Sequence, residues 1–222
     1  APGMTIRAPR VTLAGGTLAA ATLAVNAAAG IETLAINAGG LAGGASLVVG
    51  PGGLVELPAA ARVTIAVAGL ELDEAAGGGR LDLGGGEIAI QPGSLTEADL
   101  VADILGGRGG GSWDGATGIT SAAAAASGGT RTVGYLADGS GGFRVSFAAA
   151  GDTDLDGVVD LFDVLAIANS GVYNTQAEAD WSRGDFNYDG VTNLFDILAL
   201  LDAGAYGQGS YFAAAPTEAT LA

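Results

Sequence analysis

Apolar side chains in the first part of the chain come in short runs of period two. Val11-Thr12-Leu13, Thr22-Leu23-Ala24-Val25, Thr33-Leu34-Ala35-Ile36, Leu47-Val48-Val49, Leu54-Val55-Glu56-Leu57, Val63-Thr64-Ile65-Ala66-Val67, Leu70-Glu71-Leu72, Leu81-Asp82-Leu83 and Glu87-Ile88-Ala89-Ile90 recur about every ten residues, with Gly, Asn and Ala between them. Such runs are too short for helices and rich in β-branched residues, so they predict many short strands joined by tight turns. Gly15-Gly16, Gly39-Gly40, Gly43-Gly44, Gly52-Gly53 and Gly84-Gly85-Gly86 fall at the corners. A sandwich and a stack of coils both accept these strands. Stacked coils need little aromatic core and grow by near repetition, so with aromatics at 6% of the chain they are the better fit for residues 1–92.

Residues 93–150 follow a different rule. Ser94 and Glu97 have capping-box spacing, Glu97 and Asp99 favour a helix amino end, and Leu100, Val101, Ile104 and Leu105 supply an apolar face before Gly106-Gly107. A glycine-rich connector around Gly109 to Gly111 carries Trp113, whose expected role is to anchor it. Thr132 to Leu136 and Phe143 to Phe147 flank Asp138-Gly139-Ser140-Gly141-Gly142, which predicts a hairpin. Helix and hairpin together form a cap that covers the open edge of the stack.

From residue 151 the apolar period becomes helical. Positions 161, 162, 165 and 168, and again 194, 195, 198 and 201, make a stripe by which two short helices are expected to pack on each other. So small a unit cannot bury every apolar group it carries, which leaves Leu161, Phe162, Leu194 and Phe195 as candidates for contact with a protein partner. Ahead of each helix stands a twelve-residue loop, and the two loops are 33 residues apart. Asp152, Asp154, Asp156, Asp160 and Asp163 occupy positions one, three, five, nine and twelve of the first; Asp185, Asn187, Asp189, Asn193 and Asp196 occupy those of the second. Val158 and Val191 offer backbone carbonyls at position seven, and Gly157 and Gly190 permit the sharp turn. Oxygen donors in this order wrap a hard cation, so two Ca2+ ions are expected. Loop 1, with the more carboxylates, is the expected tighter site. The match between copies runs on through Leu165/Leu198, Gly171/Gly204 and Tyr173/Tyr206. Residues 151–209 form this module, and 210–222 a tail or a strand for donation to a neighbour.

Composition narrows the chemistry. The chain has no Cys and no His, which removes disulfides, thiol chemistry and the usual zinc, copper and iron ligands. Its net charge is −16, and residues 152–222 hold 12 acids against one Arg. Cations should therefore relieve repulsion as well as close loops. No basic stripe exists for nucleic acid, and no apolar run reaches the roughly 18 residues of a membrane span. Low-affinity calcium sites on an acidic, cysteine-free chain fit an extracellular or bacterial cell-surface location.

Position twelve is Asp in both loops where an ordinary EF-hand has Glu, and no helix precedes either loop. In this, residues 151–206 resemble the duplicated dockerin type I module, which implies the ligand set just named. Dockerins present small polar residues at loop positions ten and eleven and basic residues further on, whereas Leu161-Phe162 and Leu194-Phe195 stand here and both helices lack Lys and Arg. The resemblance therefore does not carry over the cohesin partner. Val11-Thr12-Leu13-Ala14-Gly15-Gly16-Thr17-Leu18 and Gly79-Arg80-Leu81-Asp82-Leu83-Gly84-Gly85-Gly86-Glu87-Ile88 resemble autotransporter-associated β-strand repeats. Taken together, the chain resembles the C-terminal part of planctomycete-type extracellular proteins. That implies a mainly β fold with a small α module, in which residues 1–92 are the last coils of a right-handed β-solenoid.

Glu71, Asp73, Glu74, Arg80, Asp82 and Glu87 supply enough carboxylates for chemistry on a glycan, but their alternation with Leu reads as the solvated side of strands. Asp99 and Asp103 are likewise expected on a wet helix face. The expected function is that of a non-enzymatic structural or assembly protein, an adhesin or filament subunit, whose partner is another copy of itself. The alternative is the cohesin-binding tail of a larger polysaccharide-degrading protein.

Overall fold

The computed structural model describes residues 8–14, 17–18, 22–25, 31–37, 40–41, 44–73 and 77–212. Gly15-Gly16, Gly39, Gly43, Glu74 and the tail beyond Phe212 lie outside the described residues. The fold is mainly β with a few helices. Each expected apolar run contains a strand: β1 (Ala8–Leu13), β3 (Thr22–Val25), β4 (Ile31–Ile36), β6 (Ser46–Val49), β7 (Leu54–Glu56), β8 (Thr64–Val67), β9 (Gly69–Leu72), β10 (Arg80–Asp82) and β11 (Glu87–Ile90), with the two-residue strands β2 (Thr17–Leu18) and β5 (Gly40–Leu41) between them.

Pairing is parallel, between strands one repeat apart. The sheet β1-β4-β7-β10 is completed by β12 (Gly118–Thr120), while β3-β6-β9, β2-β5 and β8-β11 form the other parallel ladders. Register places like on like: Val11, Leu34, Val55, Leu81 and Ile119 form one column, and Leu23, Leu47 and Leu70 another. Ile65 and Ile88 form a third column, which ends on Val145 of the hairpin. Stacking aliphatic side chains in columns fills an interior without aromatic rings, and Leu34, Leu47, Val55, Leu81 and Ile88 are all buried.

α1 (Glu97–Arg108) packs against β12 at the end of the first sheet, and its boundaries differ from those expected. The N-cap is Thr96, which exchanges hydrogen bonds with Asp99, and Glu97 instead accepts a hydrogen bond from the Tyr135 hydroxyl at 2.8 Å. Gly106-Gly107 does not end the helix, which runs on to Arg108, and a side chain at Gly107 would strike the carbonyl of Ile119. Close packing on β12 thus accounts for a glycine inside the helix. Asp103 is buried, not wet. Trp113 is buried as expected of an anchor. The connector also contains what the sequence did not announce, β12 and the short helix α2 (Ala122–Ala125). The hairpin forms as β13 (Thr132–Ala137) and β14 (Phe143–Ala148), and β14 pairs antiparallel with β11.

Two of the acidic residues, Glu87 and Asp82, have structural roles. Glu87 is buried and accepts from Arg62 at 2.6 Å and Thr64 at 3.0 Å. Asp82 accepts from the amides of Gly84 and Ala122, and Glu71 is exposed. Among the described residues, Glu71, Asp82 and Glu87 are not gathered into a common site.

The last part of the chain packs on the hairpin, not beside it. Trp181, fully buried, lies where a side chain at Gly134 of β13 would have to sit. Tyr188 stacks on Tyr135 with ring centroids 6.2 Å apart and donates to the Val133 carbonyl at 2.6 Å. The boundary at residue 150 therefore falls inside one continuous apolar core. Among the described residues no helix is long and apolar enough to cross a membrane.

Leu81 sits mid-column between Val55 and Ile119, so Leu81→Ala should lower the unfolding free energy by about 2–5 kcal/mol, read from the urea midpoint. A loss below about 0.5 kcal/mol would mean that the column does not support the body.

Candidate metal-binding loops

Both loops fold by the same hydrogen bonds. In loop 1 the position-one carboxylate, Asp152, accepts from the amides of Asp156 (3.2 Å) and Gly157 (2.9 Å); in loop 2 Asp185 accepts from Asp189 (3.2 Å) and Gly190 (2.9 Å). Position twelve reaches back in each. Asp163 accepts from the amides of Thr153 and Asp160, both at 2.8 Å, and Asp196 from Phe186 at 2.9 Å and Asn193 at 2.8 Å. Asp160 and Asn193 then cap the helices that follow, α3 (Leu161–Asn169) and α4 (Leu194–Ala203). These capping boxes start each helix at the loop's end, which is why loop and helix behave as one unit.

Glycine at position six is required by the turn, with φ of 92° at Gly157 and 85° at Gly190. Position four is also left-handed, at Leu155 and Tyr188, although neither is glycine. Leu155 is fully buried and the Tyr188 hydroxyl is bonded to β13, so packing holds both in place. The copies clasp each other reciprocally. Asn174, after α3, donates to Thr192 in loop 2 at 2.8 Å, and Gly207, its counterpart after α4, donates to Val159 in loop 1 at 2.9 Å.

The structure brings Asp152, Asp154 and Asp156 together, with carboxylate oxygens within 4.8 Å of one another. This cluster could bind a metal ion, and its all-oxygen donors fit a hard one. Asp160 and Asp163 form the capping box of α3. Val158 is half-buried at position seven, where its amide donates to Asp156. In loop 2 the middle carboxylate is replaced by Asn187, whose side-chain amide donates to Asp189 at 3.1 Å. Asn193 and Asp196 cap α4, and the Val191 amide donates to Asp189.

Electrostatics in the loops oppose ionisation. Burial, aided by Asp163 and Asp154, pushes the Asp152 carboxyl up to about 6 against hydrogen bonds from Tyr211 and Gly157. Burial likewise pushes Asp185 up to about 6, with Asp196 and Asp189 adding repulsion. Asp163 and Asp196 are raised by burial as well.

The expected helix-to-helix stripe is not how the helices bury themselves. α3 buries Asp163 and Ile167, and α4 buries Asp196, Leu200 and Ala203. Because position twelve must face its loop, the residues one and two turns on share that face, and the stripe is turned outward. Leu161 is 56% exposed, Phe162 77%, Leu194 59% and Phe195 68%. Leu165, Leu198, Leu201, Tyr173 and Tyr206 are exposed with them.

Sequence reasoning passed over the aromatic shell of the loops. Trp181 donates its indole N–H to the Asp152 carbonyl at 2.6 Å, and Tyr211 donates its hydroxyl to the Asp152 carboxylate at 2.5 Å. A signal was present, since every aromatic residue of the chain lies at or after Trp113.

Asp152 has a folded-state value of about 6 against an ordinary 3.8, so its protonated form favours the fold. That contribution is complete below pH 3.8 and is lost as pH rises through 6. In chelator, Asp152→Asn should therefore gain on the parent between pH 4 and 7 by on the order of 2 kcal/mol, measured by urea midpoints. A difference that does not change with pH would contradict this.

The chain matches no known protein family, no curated protein and no solved structure.

Proposed function

We propose that this is a non-enzymatic extracellular or cell-surface assembly protein in which a calcium-stabilised, dockerin-like module makes protein contact. In this view residues 1–92 are coils of a right-handed β-solenoid, 93–150 its cap, and 151–209 a module holding two Ca2+ ions, with the Val158 and Val191 carbonyls among the ligands. The parallel ladders support the solenoid, and the common hydrogen-bond scheme of the loops supports the paired calcium sites. One observation carries the protein-contact reading. The exposed apolar residues of α3 and α4 come in pairs 33 positions apart, Leu161 with Leu194, Phe162 with Phe195 and Leu165 with Leu198, so that each helix presents the same apolar face to solvent. Large apolar groups clustered on an exposed helix face mark a site of association. The occupant proposed first is a second copy of the chain. A cohesin-like receptor is the second, favoured by the exposure of loop positions ten and eleven, where the dockerins of the resemblance meet their partners.

Light scattering in millimolar calcium should show assemblies that dissociate on chelation and do not form when Phe162→Ser and Phe195→Ser are combined. A parent that is monomeric throughout would overturn self-assembly and leave the receptor as the occupant. Asp156→Ala with Asp189→Ala should leave residues 151–206 protease-sensitive even in calcium, because metal affinity in such loops is folding energy. Unchanged circular dichroism and protease resistance would refute the calcium sites.

A further inference from the structure

The two loops are alike in their own bonding but not in what covers them. Over loop 1 lies the segment Tyr211-Phe212. The Tyr211 amide donates to the Gly157 carbonyl at 2.9 Å, its hydroxyl donates to the Asp152 carboxylate, and the Phe212 ring fills the space a side chain at Gly157 would need. In loop 2 the corresponding space at Gly190 is open. The same two rings reach the β body. The Arg62 guanidinium stacks over Phe212 at 3.7 Å, Phe147 of β14 meets Tyr211 edge-on at 6.1 Å, and Arg131 lies over the Tyr211 ring at 5.3 Å. Asp152 is thus held from three sides: its carbonyl by Trp181, one carboxylate oxygen by Tyr211 and Gly157, and the other by the Asp156 amide.

We propose that Tyr211-Phe212 is a strap that positions Asp152 for a divalent cation in loop 1 and couples occupancy of that loop to the junction with the β body. This rests on the calcium reading of the loops. A phenol fixed on one oxygen of Asp152 sets the carboxylate plane before the cation arrives, so less ordering remains to be done on binding. A cation that holds Asp152 in turn holds the strap, and with it the contact between Phe212 and Arg62. Tyr211 is a positioning residue, acting through Asp152. Among the described residues none covers loop 2 in this way, which makes it the internal control.

Calorimetric calcium titration of the full chain tests this, with Asp189→Ala leaving loop 1 and Asp156→Ala leaving loop 2. Tyr211→Phe, which keeps the ring and its contacts, should weaken loop 1 about ten-fold and leave loop 2 unchanged, one hydrogen bond to a charged group being worth about that factor. In the parent, chelation should speed hydrogen exchange at the Tyr211 amide at least about ten-fold. Equal loop 1 affinity with Phe at 211, or exchange at Tyr211 indifferent to calcium, would overturn the strap alone. A parent that binds no calcium would overturn the calcium reading and the strap together.

Discussion

Three carboxylates whose oxygens lie within 4.8 Å of one another, one of them fully buried, repel one another and hold charge out of water unless a counter-charge is supplied. The C-terminal part of the structure is arranged around that constraint. Asp152 sits where burial is deepest, and the backbone amides of its own loop, a tyrosine hydroxyl and a tryptophan N–H converge on that residue. Hydrogen bonds hold the carboxylate in place but leave its charge uncompensated. A divalent ion held by these oxygens would do both, and would also reduce the repulsion within a segment of 12 acids and one Arg.

Position twelve carries this constraint into the shape of the surface. Asp163 and Asp196 close their loops and begin their helices at once, which fixes each helix's rotation. Ile167 and Leu200 follow them inward, and Leu161, Phe162, Leu194 and Phe195 are turned out. The exposed apolar face is therefore a consequence of how the loops are closed. Through Trp181, Tyr188 and Tyr211 the same loops are attached to the hairpin, and through β14 to β11 the hairpin is part of the ladders. Loop closure, helix rotation and attachment to the body share one set of residues.

Much of this was legible in the residues, for local reasons. The strands of the body came from period-two runs, and the hairpin from Asp138-Gly139 between two such runs. The loops came from oxygen side chains at fixed spacing, where chemistry and backbone demand the same residues. What stayed hidden depends on distant partners. The glycine at 107 inside a helix is explained only by the nearness of Ile119, and β12 only by an open ladder edge at β10. Thr96 and not Ser94 is the cap: Asp99 answers Thr96, while Glu97, three residues after Ser94, accepts from the distant Tyr135 hydroxyl. The outward turn of the stripe was hidden for another reason: periodicity says that a helix has an apolar face, not which face its neighbours take. For the loops, the positions were legible but not their division of labour, in which Asp160 and Asp163 cap α3 while Asp152, Asp154 and Asp156 cluster.

If a bound cation supplies the missing counter-charge, its removal must be felt as lost stability. Differential scanning calorimetry of the intact chain, in millimolar calcium and again in chelator at pH 7.5, measures this directly. Saturating a site at about 100 to 1,000 times its dissociation constant adds about 3–4 kcal/mol, so the unfolding temperature should rise by about 6–15 °C in calcium. Superimposable transitions in the two conditions would contradict a role for calcium in holding this structure together.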